Sequence, residues 1–186
     1  MAAGRVREGF GPLLEKKLTV YGSRVESVRV VGDDAEAIAR AIRLTAQGGA
    51  ELLFVTGGMA VDPDDVTLDG ILRAGTELEF FGVPMQPATL LLLGRWEGIP
   101  LFGVPAGVLF DPYTALDRLL PWVLAGVWPD RESVMRMGSH GMLAPGHGGD
   151  HGHGSVIRED EGTRTGRAAV TMDASERTMG GDTQRG

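Results

Sequence analysis

The chain has no cysteine, which excludes disulfides, thiolate zinc sites and cysteine-ligated iron–sulfur clusters. It also lacks an excess of basic residues. Lys and Arg number 18 against 25 Asp and Glu, for a formal net charge of −7. A general nucleic-acid binder would carry a basic face, so no nucleic-acid partner is expected. No apolar run is long enough to span a bilayer. The longest, within "ATLLLLG", is the length of a strand. The opening "MAAGRVREGF" has no apolar core of the kind a signal peptide needs. These absences predict a cytoplasmic protein without a membrane partner. Two further absences divide the chain. No Phe, Trp or Tyr follows Trp128, and no histidine precedes His140. Ser-His-Asp chemistry is therefore excluded from the first 130 residues.

At 186 residues there is room for one domain with a real core. The composition breaks near Asp130. Of the 29 glycines, 12 lie beyond it, and Val, Ile and Leu are scattered singly there. Such a segment buries too little apolar surface to offset its ordering entropy. The expectation is a globular body over 1–130 and a Gly/His-rich, disordered tail over 131–186.

The body alternates element types. "FGPLLEKKLTVYG" predicts a short helix ending at Gly22, and "RVESVRVV" (24–31) a strand. "GDDAEAIARAIRLTAQGG" predicts a helix capped by Asp33, with Ala35, Ile38, Ala39, Ile42 and Ala46 on one face. "ELLFVT" (51–56) reads as a buried strand, apolar on both faces as in parallel sheets. A helix from about Asp65 to Ala74 follows, then the strand "TELEFFGV". "TLLLLGRWEGIPLFGVP" reads as a hairpin turning at Glu97-Gly98. "DPYTALDRLLPWVLAG" predicts a final helix with Asp111 as N-cap, Pro112 at the first helical position, and a kink or the start of a new turn at Pro121. Strands alternating with helices predict an α/β sandwich around a mainly parallel sheet.

The stretch "VTGGMAVDPDDVTLDGI" (55–71) is the most informative. In open α/β sheets, ligands sit outside the carboxyl ends of strands, and Thr56-Gly57-Gly58 stands at such an end. Glycine lets a ligand oxygen approach backbone N–H groups. The outline is a phosphate site. The nearby aspartates would repel phosphate, unless one caps the next helix and another holds Mg²⁺, which reverses the local sign. The bland alternative is a tight turn with a capped helix. Arg95, Lys16 and Lys17 are the cations placed to reach a ligand, the lysines fitting a solvated helix face better. Tyr113 and Asp117 could line its pocket, with a surface helix position an equal alternative for Asp117. The three tryptophans read as packing.

With these residues in view, "TGGMAVDPDDVTLDGI" resembles the signature of the molybdopterin-binding domain of molybdenum-cofactor biosynthesis proteins. That family includes an adenylyltransferase, the molybdate insertase and a competence-damage-inducible branch with nucleotide pyrophosphatase members. "FGVPMQPATLLLLGRWEGIPLFGVPAGVLFDPYTALDRLLPWVLAGV" is similar to its second half, and the likeness covers most of residues 4–128. Its nearest part is a stand-alone branch with "T-x-x-D-x-x-L-P-x-x-L-A-G", matched by Thr114, Asp117, Leu120, Pro121, Leu124, Ala125 and Gly126.

The resemblance implies a three-layer sandwich whose sheet is mainly parallel with a hairpin. It implies molybdopterin as ligand, with Thr56, Gly57, Gly58, Asp62, Thr67, Pro87, Pro105 and Gly107 around it. Asp64 and Asp65 would serve catalysis or hold Mg²⁺. The activity would be molybdate insertion or adenylyl transfer; a non-catalytic carrier or a nucleotide pyrophosphatase are the alternatives. Partners would be molybdopterin, its adenylylated form and a molybdoenzyme.

Three departures stand out. The family's usual "P-G" is Pro87-Ala88. Its "G-L-P-G" turn is Gly103-Val104-Pro105-Ala106, with Gly107 one place late. The family's first strand, ending in a "T-G-[ND]-E" loop, is missing ahead of "GRVREGFGPLLEKK". That strand would be central and would form one wall of the site. Its loss would leave an uncovered edge, hence an expected homo-oligomer. Separately, His147, His151 and His153 in the tail have a spacing that could hold a zinc or nickel ion, though a Gly-rich tract offers nothing to orient them.

Overall fold

The computed structural model describes residues 9–59, 65–138 and 167–173. In chain order the elements are α1 (Phe10–Thr19), β1 (Arg24–Val31), α2 (Ala35–Gln47), β2 (Leu52–Thr56), α3 (Thr67–Arg73), β3 (Glu77–Phe81), β4 (Leu92–Trp96), β5 (Ile99–Val104), a 3-10 turn (Ala106–Leu109), α4 (Ala115–Leu124), α5 (Arg131–Gly138) and β6 (Arg167–Asp173). One six-stranded sheet has the order β1-β6-β2-β5-β4-β3. The first four strands of that order are parallel, and β5, β4 and β3 are antiparallel neighbours.

The pleat explains the layers. Side chains alternate across a strand, and β2 is buried at every position. Leu52 and Phe54 face a core shared with α1, α4 and α5, where the rings of Phe54 and Phe102 stack with centroids 5.8 Å apart. Leu53 and Val55 face the other core, with Ile38, Ala39 and Ile42 of α2 and Ile71 of α3. Helices on both faces make the three-layer α/β sandwich. The hairpin turns at Glu97-Gly98, with φ +47° and +85°, as a two-residue turn with both φ values positive requires.

Several local expectations shift. Asp34, not Asp33, caps α2, accepting from the Ala37 N–H at 2.7 Å. Asp111 does not cap α4; it folds an Asx turn by accepting from the Tyr113 N–H at 2.9 Å. Thr114 is the N-cap residue, and its N–H and hydroxyl donate to Asp117 Oδ2 at 2.7 and 2.9 Å. Pro121 lies inside α4, and the Ala125 N–H donates to its carbonyl at 2.9 Å.

The larger correction concerns the segment expected to be a disordered tail. Residues 131–138 form α5. Asp130 Oδ1 accepts from the Ser133 N–H at 2.7 Å, and Val134 is buried in the first core. Gly138 closes onto Pro84 with no room for a Cβ. Residues 167–173 form β6, parallel to β1 on one side and β2 on the other. The apolar content of 131–186 is sparse, but half of its Ala, Val, Ile, Leu and Met residues fall in these two short pieces. The edge on which a homo-oligomer was expected is covered by β6. The remainder of 131–186, with His147, His151 and His153, lies outside the described residues.

Candidate functional site

The candidate site is the edge where the parallel strands end. Thr56 closes β2 and is level with Val104, the last residue of β5. After them the chain turns at Gly57-Gly58 on one strand and at Pro105 on the other. Gly57 and Gly58 have φ +84° and +61°. Gly58 is dictated twice. An L side chain is strained at that φ, and a Cβ there would run into Thr67 Oγ1 and Asp65 Oδ1. Met59 then turns inward and is buried, with its thioether against Gly103 of β5.

Asp65 and Thr67 hold this loop. Asp65 Oδ1 accepts from the Thr67 N–H at 2.9 Å and lies against Gly58. The carboxylate thereby shapes the start of α3, which begins at Thr67 rather than Asp65. Thr67 is fully buried and packs on the same glycine. Thr56 is fully buried too, and its Oγ1 has no hydrogen-bond partner among the described residues. A buried hydroxyl without a partner costs roughly 1–3 kcal/mol. Here it stands directly before the glycine turn.

Two more loops meet the same edge. Gly107 approaches Ala88, whose N lies 3.6 Å from where a Cβ on Gly107 would be. Ala88 sits at φ +73°, a conformation glycine adopts freely and alanine adopts at a penalty. The Pro87 carbonyl accepts from the Ala115 N–H at 3.3 Å, tying the loop to α4. Pro105 opens the 3-10 turn, and its carbonyl accepts from Val108 N–H at 3.1 Å.

Of the residues singled out in the sequence, Thr56, Gly57, Gly58, Asp65 and Thr67 form one cluster. Pro105 follows the neighbouring strand, and Pro87 and Gly107 belong to two loops in contact. Asp62 and Asp64 lie outside the described residues. No group of three metal-ligating side chains occurs among the described residues. Met59, and the left-handed backbone of Ala88, were missed in the sequence. The alanine standing at the family's "P-G" glycine was the available signal for the latter.

Two of the three expected cations, Arg95 and Lys17, are committed elsewhere. Arg95 stacks its guanidinium 3.7 Å from the Trp128 ring centre and pairs in register with Glu77, toward the opposite end of the sheet. Lys17 donates to Asp117 Oδ1 at 2.5 Å and to the Pro112 carbonyl at 3.3 Å. Asp117 therefore joins helices instead of lining a pocket. Trp96 donates to the Ala74 carbonyl and Trp128 to Glu79, each at 2.8 Å, so both are packing residues. The Tyr21 hydroxyl beside this cluster has its pKa raised by burial first, then by Asp117 and Tyr113. None of the described helices is long and apolar enough to cross a membrane.

Comparison with known proteins gives the family and the fold. The family model described as "Probable molybdopterin binding domain" matches residues 1–128. A CinA-like protein of Geobacter sp. (strain M21) is 53% identical over 81 residues, covering 42% of this chain and 19% of that protein. A CinA-like protein of Frankia casuarinae is 38% identical over 98 residues, covering 51% of this chain and 22% of that protein. The chain thus spans about a fifth of the length of these relatives. The crystal structure of the molybdopterin biosynthesis MoeA protein from Pyrococcus horikosii matches with a TM-score of 0.50 at 21% identity. It covers 73% of this chain and 30% of that one, and the likeness is one of fold. With the matched segment running through both cores and the whole glycine edge, the chain belongs to the family of molybdopterin-binding domains.

Proposed function

We propose that this protein binds molybdopterin at the Thr56–Gly58 edge, in the biosynthesis or handling of the molybdenum cofactor. The observation that carries the reading is the buried Thr56 hydroxyl, unpartnered among the described residues, at the foot of the Gly57-Gly58 turn. A phosphate oxygen can accept from that hydroxyl and from adjacent backbone N–H groups, which glycine leaves open. The edge fits a phosphate-bearing ligand in that respect. It also fits one that reaches across to Pro105, Gly107 and Pro87, because those turns belong to the same end of the sheet.

Binding without turnover, as in a carrier, is favoured by one observation. Asp65, the carboxylate at the loop, already holds the Thr67 N–H and lies against Gly58. If the protein also catalyses molybdate insertion or adenylyl transfer, the work would be positioning and charge neutralisation, with Mg²⁺ brought by the ligand's phosphate and by Asp62 and Asp64. The CinA-like relatives favour a second reading, a nucleotide pyrophosphatase.

Titration with molybdopterin and with its adenylylated form, each with and without Mg²⁺, tests the proposal. Saturable binding that Thr56→Val weakens is the expected result. Hydrolysis of a dinucleotide with Mg²⁺ or Co²⁺ and no pterin binding would replace it with the pyrophosphatase reading.

A further inference from the structure

Strands β1 and β2 do not pair with each other; β6 lies between them and pairs with both. Arg24 is level with Arg167, and Val31 with Asp173. On the other side Leu52 is level with Ala168, and Thr56 with Met172. All three strands are parallel, so they end at one edge. By continuing the register, Asp173 stands beside Gly57. The only other charged residue of the strand, Arg167, is at the opposite end.

These placements have two consequences. Among the described residues β6 is the strand neighbour of β1 in the sheet, and its main other packing is against α1 and α2. An eight-residue strand with most positions exposed is poorly held by packing alone. Moreover, the slot beside β2 is the flank of the glycine turn. Whatever strand fills it brings its carboxyl end to the ligand edge.

We propose that the C-terminal segment of this chain is a working part of the binding site: β6 fills the central slot, holds β1 in the sheet, and forms with the backbone at Asp173 the wall beside Gly57. The second half of that statement rests on the reading of the Thr56–Gly58 edge as the pterin site. The occupant of the slot is the chain's own segment. From 139 to 166 the chain has 28 residues, which reach at most roughly 90 Å at 3.3 Å each, ample for a domain of this size. Strand docking and ligand binding then stabilise each other by linkage.

Two experiments on the full chain decide this. The first exploits the absence of cysteine. Val28 and Val170 are register partners, so the double variant Val28→Cys, Val170→Cys should form a disulfide on mild oxidation, within one chain. No crosslink, or one that joins two chains as a dimer, overturns docking of the chain's own segment.

The second is Val170→Pro, which removes a ladder N–H and does not fit a central strand. Amide exchange should show protection lost along residues 25–31 while β2, β4 and β5 stay protected. Molybdopterin affinity should fall at least tenfold. Unchanged protection of β1 overturns the structural role. Lost protection with unchanged affinity overturns the wall. If the wild-type chain binds no molybdopterin, the site reading fails, while crosslinking and exchange still judge the strand. Should Val170→Pro not fold, the crosslinked chain serves instead: it should bind at least as tightly as the reduced form, and weaker binding overturns the wall.

Discussion

Lys17 Nζ lies 2.5 Å from Asp117 Oδ1, joining the first helix to the helix that closes the body. Both side chains are largely buried, at 10% and 17% exposure. Asp117 has a second task, since its other oxygen accepts from the N–H and hydroxyl of Thr114. One carboxylate therefore starts α4 and anchors it to α1.

Removing that carboxylate should be worse than removing its partner. Asp117→Ala loses the capping-box hydrogen bonds from the N-cap residue Thr114, about 1 kcal/mol, and a charged hydrogen bond to lysine, about 1.5–3 kcal/mol. Lys17→Met keeps the cap and the apolar stem. Urea unfolding should show a loss of about 2–4 kcal/mol for Asp117→Ala and a smaller one for Lys17→Met. Equal losses would mean that the cap contributes nothing.

Tyr21 beside this pair gives the fold an alkaline limit. Burial, with the Asp117 carboxylate next, raises its pKa above the ordinary value of 10.0. The folded state then holds the phenol proton more tightly than the unfolded chain does. Its contribution is complete below pH 10 and is lost as pH rises through the folded-state value. Tyr21→Phe should flatten the fall in stability above pH 10. The check is the difference between wild-type and variant urea midpoints from pH 8 to 11. Identical slopes would show that Tyr21 has no part in the limit.

Thr56→Val should separate stability from binding. It replaces a buried hydroxyl, unpartnered among the described residues, with a methyl of similar size, which should stabilise the fold by about 1 kcal/mol. Affinity for molybdopterin should fall tenfold or more. Thr45, buried in α2, also has a hydroxyl without a partner among the described residues. Thr45→Val should stabilise without touching affinity. If both variants bind as the wild type does, the Thr56 hydroxyl is not aimed at the ligand.

Ala88→Gly should be close to neutral in thermal unfolding. The left-handed backbone at φ +73° penalises alanine by roughly 1–2 kcal/mol. Glycine adds roughly 0.5–1 kcal/mol of backbone entropy to overcome and gives up a small buried methyl. Ala39→Gly, in the buried face of α2, has only the losses and should cost at least about 1 kcal/mol. A strongly destabilised Ala88→Gly would show that the methyl itself is needed against Gly107.

Much of this architecture is legible in the sequence because its signals are local. β1 occupies 24–31 as read, and the apolar run at 52–56 is the buried strand it resembles. The glycine edge was legible because Gly57-Gly58 follows that strand directly. The corrected caps differ by one to three residues, since adjacent Asp and Thr side chains compete for the same free N–H groups. What escaped was non-local. "RAAVTMD" is short, and its one large β-former is Val170; nothing near it marks a strand. It becomes one because β1 and β2 offer it hydrogen-bonding edges on both sides. Composition averaged over 131–186 hides a seven-residue piece whose stability comes from its neighbours. α5 left a fainter trace: Asp130 three residues before Ser133 is a capping pattern that a low apolar count obscured.

The place of β6 also sets the order in which the molecule can be made. A ribosome delivers the chain from its N-terminus, so every other strand of the sheet emerges before the one that belongs in the middle. Until residue 173 is free, β1 lacks β6, its strand neighbour among the described residues, although it is among the first of the described elements synthesised. Arg24 must wait for Arg167, its register partner, with nearly the whole body between them. Contacts so distant in sequence close late and slow the final step of folding. A nascent chain stalled after α5 would carry an open slot next to β2, and that slot would accept any passing strand.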